Sequence, residues 1–147
     1  MNPLSSPSLQ LLTALWNLWQ SLAADGDTRL RVECGVDLKG FIALGYLQAR
    51  PYQPAELAAA MQMPRYEVSR LLGTLENSGL ISRVRDGRDG RQVTVNLTQD
   101  GQDTWDRGLI TVEDVTAPAL AGLDRATLDH LIHTLTKLIP VPDGEPT

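Results

Sequence analysis

The sequence is poor in cysteine: Cys34 is the only one in 147 residues. An internal disulfide framework is therefore excluded, and too few thiols remain for a zinc site built on cysteine; a reducing compartment is the expectation. Long apolar runs are missing as well. No stretch of about 18 apolar residues occurs, and the N-terminus lacks the basic, apolar and small-residue segments of a secretory leader. The expected location is cytoplasmic, without a membrane partner. There is no nucleophile elbow, phosphate loop or His-Glu-x-x-His site, so the chain is read as not an enzyme and no cofactor is expected. Positive charge is also short, with 13 Lys and Arg against 18 Asp and Glu, net -5. At first sight that argues against a polyanionic partner, because phosphate contacts need cations.

The distribution of charge changes that view. Between Arg65 and Arg91 six arginines face four acids, and every cation there is arginine; from residue 99 onward nine acids face three bases. Such segregation suits a DNA-facing edge on an acidic body. With 42% hydrophobic and 21% charged residues, the chain should fold as one domain, residues 1–147, of ordinary globular composition.

Hydrophobic periodicity then orders the elements. Residues 9–22 form a helix whose apolar face, with Leu12, Trp16 and Trp19 on one stripe and Leu11, Leu15 and Leu18 beside it, is too wide for a simple surface helix. Asp25-Gly26-Asp27 breaks that pattern, and residues 28–35 are open between a short helix and a connector. A helix over 37–49, capped by Asp37, stops at Arg50-Pro51. Pro54 opens a short helix, Gln62-Met63-Pro64 turns, and Val68, Leu71, Leu72 and Leu75 trace a second amphipathic helix, the spacing of a helix-turn-helix. Gly79 fits the C′ position. Residues 81–85 and 91–97 read as two strands, the second placing Val93, Val95 and Leu97 inward, with residues 86–90 as the turn. Thr98 caps a helix carrying Trp105, Leu109 and Val112, which Pro118 ends or kinks. A last helix starts near Leu123, with Asp124 as cap, and runs to Pro140; residues 141–147 form a flexible tail.

In that order, Ser69-Arg70-Leu71, Gly79-Leu80-Ile81, and Asp89, Arg91, Leu97, Thr98 and Gly101 at fixed offsets resemble the MarR family of multiple antibiotic resistance regulators, over roughly residues 8–139. The resemblance implies a fold that is mainly α with a small β-hairpin: a winged helix-turn-helix lobe (about 37–98) with N- and C-terminal dimerisation helices (about 5–35 and 99–140). It implies a homodimer on a near-palindromic double-stranded DNA operator, and a repressor released by a small aromatic or phenolic ligand. The surplus of apolar surface on the first and last helices independently favours a dimer.

Arg65, Tyr66, Ser69 and Arg70 stand at the start of the recognition helix, where side chains reach phosphates and base edges. The alternative for Arg70 is a pair with Glu67 or Glu76 on the same helix. Arg88 and Arg91 on the wing suit the minor groove, and Asp89 is placed to orient Arg91. Trp16, Trp19 and Trp105 are candidate ligand or dimer residues, with structural core as the competing role. Cys34 reads as a small packed residue rather than a redox sensor. His130 and His133 lack a fixed third ligand, so no metal is expected. The alternative function is a winged-helix protein-interaction module without DNA binding.

Overall fold

A computed structural model of the chain describes residues 6–87 and 91–140. The elements follow in the order α1 (Pro7–Cys34), α2 (Leu38–Ala49), α3 (Pro54–Met61), α4 (Arg65–Asn77), β1 (Ile81–Asp86), β2 (Gln92–Leu97), α5 (Gln99–Leu120) and α6 (Arg125–Leu138). The fold class is the expected one, mainly α with one antiparallel hairpin. The chain divides into two units, Met1–Val115 and Thr116–Thr147. Among the described residues no helix is long and apolar enough to cross a membrane.

The first helix departs from the sequence reading. α1 runs unbroken through Asp25-Gly26-Asp27 to Cys34, because the carboxylate that would compete for the helix backbone is engaged elsewhere. Asp27 accepts a hydrogen bond from Leu38 N at 2.8 Å and pairs with Arg31 Nε at 2.8 Å, one turn on. Both contacts hold its carboxyl below the usual carboxylate range, the Leu38 amide contributing most. The helix stops at Gly35, whose left-handed φ of 73° lets its N–H reach Arg31 O. Toward its N-terminal end α1 is bare: Leu12 and Trp16 are each 63% exposed and Trp19 55%.

Asp37 caps α2 by accepting from Gly40 N at 2.7 Å. In α3, Pro54 fills the first position, where its missing N–H costs nothing, and Glu56 accepts from Gln53 N at 3.2 Å. The apolar face of α4 buries Val68, Leu72 and Leu75 against Leu44, Leu47 and Leu57 in one core. At its end Leu80 N reaches Leu75 O at 3.0 Å and Gly79 N reaches Glu76 O at 2.9 Å. That double bond pattern is a Schellman stop, and it needs the positive φ that Gly79 supplies, 75°.

The hairpin pairs Ile81 with Leu97 through Asp86 with Gln92. Val95, fully buried at its centre, also bridges Tyr52 with paired backbone bonds of 2.8 and 3.2 Å, tying the α2–α3 connection to the wing. Thr98 then joins three elements: its hydroxyl donates to Gly79 O at 2.6 Å and accepts from Gly101 N at 3.0 Å, and its N–H reaches Leu80 O. Gly101 packs so tightly there that a Cβ would sit 2.0 Å from Leu80 O.

Along α5, Arg29 of α1 meets Asp114 at 2.6 Å, and the Thr111 hydroxyl donates to Glu33. The Thr111 hydroxyl, followed by Arg29, holds the Glu33 carboxyl below its ordinary range. Pro118 neither stops nor bounds α5, which continues two residues further, to Leu120. In the second unit, Asp124 caps α6 by accepting from Thr127 N at 2.7 Å. α6 leaves Ile132 and Leu138 more than half exposed.

Candidate nucleic-acid interface

α3, a three-residue turn and α4 form the helix-turn-helix, the turn closed by Gln62 in a left-handed conformation and by Met63 N on Ala58 O. With Val68, Leu72 and Leu75 turned inward, the opposite face of α4 presents Arg65, Tyr66, Ser69 and Arg70, all exposed. Gly73 leaves a shallow place in that face, and the Arg83 guanidinium of β1 lies 3.9 Å from where a Cβ would stand.

The acids of α4 are occupied by cations from other elements. Glu67 lies 3.6 Å from Lys39 Nζ of α2, and Glu76 lies 3.7 Å from Arg83 Nε. Neither takes Arg70, so the pairing that the helix spacing offers is not formed. Arg65 and Arg70 make no ion pair among the described residues.

A groove runs along each flank of α4. One, of about 360 Å³, is lined by Gln53 to Ala55 of the α3 start, Arg65 and Ser69 of α4, and Arg91 to Val93 at the base of the wing. It brings together three of the residues expected to meet DNA. The other, of about 710 Å³, lies between α4 and the corner of α1 and α2; Tyr66, Arg70 and Thr74 form one wall, with Arg31, Asp37 and Lys39 opposite. Arg88 and Asp89, expected at the wing tip, lie outside the described residues, as does the tail 141–147.

The three tryptophans do not share this surface. Trp105 is half-buried against the core, stacked on Phe41 with ring centroids 6.4 Å apart and 5° between planes. Trp16 and Trp19 stand on the exposed face of α1, and none of the three lines either groove. Cys34 is half-buried, its Sγ 3.9 Å from the Thr111 hydroxyl. Among the described residues no three potential ligands gather for a metal, and His130 and His133 are exposed on α6. Sequence reasoning passed over Lys39 and Arg83. Only Arg83 carried a signal, as one of the wing-segment arginines; Lys39 stands alone at the start of α2.

The MarR family model matches residues 35–92. No curated protein is similar enough in sequence to match the chain. Among solved structures it is similar to a MarR family transcriptional regulator from a Rhodococcus species, at 18% identity over 91% of this chain and 95% of that one, TM-score 0.81. It is also similar to CouR from Rhodococcus jostii bound to p-coumaroyl-CoA, at 17% identity over 99% and 100%, TM-score 0.80. MepR from S. aureus, solved with DNA, aligns at 23% identity over 86% and 94%, TM-score 0.73. At these identities the structures speak for the fold, and the family model for residues 35–92. Residues 35–92 thus match the MarR family model, in a chain whose winged helix-turn-helix fold is shared with solved transcriptional regulators of that family.

Proposed function

We propose that the protein is a sequence-specific DNA-binding transcription regulator that acts as a cytoplasmic homodimer and represses until a small ligand releases it. The observation that carries the DNA reading is the state of α4: its two acids are paired with Lys39 and Arg83, while Arg65 and Arg70, exposed on the outward face, make no ion pair among the described residues. A recognition helix so arranged offers phosphates two cations, and offers base edges Ser69 and the arginines. The solved complex of MepR with DNA supports the same use of the fold.

The exposed apolar residues of α1 and α6 support the dimer. Trp16, Trp19 and Leu12 on α1, and Ile132 and Leu138 on α6 with Ile139 just after it, are all half exposed or more, and large apolar side chains grouped on exposed faces mark interaction surfaces. A two-fold dimer reads a near-palindromic site with half-sites about one helical turn, roughly 10 bp, apart. The complex of CouR with p-coumaroyl-CoA supports a ligand-release step, in which ligand favours a dimer whose recognition helices no longer fit successive grooves. In this reading Trp16 and Trp19 serve the interface, and Trp105 serves the core beside it.

The experiment is DNA binding by wild type and Arg91→Ala, with the oligomeric state measured alongside. Arg91→Ala weakens binding at least tenfold, about 1.4 kcal/mol, and leaves the dimer intact. Unchanged affinity would remove the wing from the interface. A dimer with no DNA affinity in either form would point instead to a protein-interaction module.

A further inference from the structure

We propose that the larger groove, between α4 and the α1–α2 corner, seats the second phosphate strand of the same DNA site, with Lys39 as its cation and Glu67 as a gate on it. The proposal rests on the DNA-binding reading above. An α-helix with its side chains is about 10–12 Å across, and the major groove of B-DNA is about 12 Å wide. A helix seated there therefore has a sugar-phosphate strand along each flank, and α4 has a cleft along each flank.

The smaller cleft, with Arg65, Ser69 and Arg91, serves one strand. The larger holds three cations in different states. Arg31 is committed to Asp27 at 2.8 Å and lies 3.8 Å from Asp37. The Arg70 guanidinium has no ion-pair or hydrogen-bond partner among the described residues. Lys39, one of two lysines in the chain, is 65% exposed and held 3.6 Å from Glu67 across the groove. An ion pair of that length and exposure is weak. Phosphate, which offers the ammonium charge-assisted hydrogen bonds, displaces it. Glu67 then faces the incoming strand and repels it, so the pair keeps Lys39 in place without DNA and sets a penalty that every duplex meets. The contact is to backbone and carries no sequence preference.

The test is fluorescence anisotropy with two labelled duplexes, a palindrome from the protein's own promoter region and a random sequence, over a salt series. Full-length wild type, Lys39→Gln, Lys39→Arg and Glu67→Gln are compared. Lys39→Gln should reduce the magnitude of the log K against log salt slope by about 1.8, about 0.9 for each protomer of the bound dimer, equally on both duplexes. Lys39→Arg should keep the slope, and Glu67→Gln should tighten binding several-fold at low salt. A slope unchanged in Lys39→Gln, or weaker binding by Glu67→Gln, overturns the proposal. If wild type binds neither duplex, the DNA-binding reading itself fails; if wild type binds and only the Lys39 effect is missing, that reading stands and this one falls.

Discussion

Replacing Gly101 with alanine isolates the joint that docks α5 on the exit of the helix-turn-helix. In an unconstrained helix the change would stabilise by about 0.5–1 kcal/mol, because glycine loses more backbone freedom on folding. Here the added Cβ would stand 2.0 Å from Leu80 O and 2.6 Å from Leu97 Cδ1. A carbon meets a carbonyl oxygen at no less than about 3.3 Å, so α5 or the Leu80 backbone must shift by more than about 1 Å. A backbone oxygen yields less readily than the end of a side chain. The shift also strains the Thr98 hydroxyl bonds of 2.6 and 3.0 Å that set the same joint. Overpacking costs about 1–3 kcal/mol, and with those bonds weakened the expected loss is about 3 kcal/mol or more. For a chain of this size the melting temperature should fall by roughly 6–12 °C.

Gly26→Ala is the matched control. Gly26 lies in the interior of α1 with nothing within 4 Å of its would-be Cβ, so the same substitution should gain about 0.5–1 kcal/mol. Both variants are measured by urea unfolding at one fixed protomer concentration, because the stability of the proposed dimer would depend on it. If Gly101→Ala is as stable as wild type, the tight packing of α5 on Leu80 is refuted.

Three further outcomes are expected. Thr98→Ala should cost about 1–2 kcal/mol in urea unfolding, combining a lost helix cap with the lost bond to Gly79 O, and Thr98→Ser should recover most of it. Trp16→Ala should weaken self-association in sedimentation equilibrium while leaving helix content intact; dimerisation at wild-type strength would take Trp16 out of the interface. Asp27→Asn probes pH. The native Asp27 carboxyl is held below its ordinary range, chiefly by Leu38 N and then by Arg31, so its contribution is present above the unfolded-state value and is lost as pH falls through the folded one. The variant should be less stable than wild type at pH 7, and the gap should close on acidification below about pH 4; a gap constant with pH would contradict the assignment.

The local parts of the fold were legible because short-range chemistry determines them. Asp37, Thr98 and Asp124 accept the capping bonds expected of them, and Gly79 takes the left-handed stop. Reading failed where a distant residue decided. Asp25-Gly26-Asp27 looks like a breaker until Leu38 N and Arg31 occupy the Asp27 carboxylate. Arg70 has one acid within helical reach in sequence, Glu67, but Lys39 of α2 claims it first. The Tyr52–Val95 bridge spans a single residue pair and leaves no periodicity to detect. The polar outward face of α4 was visible as the complement of a clear apolar stripe. The second groove was not, because its far wall comes from α1 and α2.

The most direct measurement is the affinity of the wild-type protein for a palindromic duplex from its own promoter region at two salt concentrations, with the stoichiometry determined. Two protomers per site are predicted, and if six phosphates are neutralised, log K should fall with log salt at a slope of about -5. Absence of binding at low salt, or binding indifferent to salt, would contradict the account.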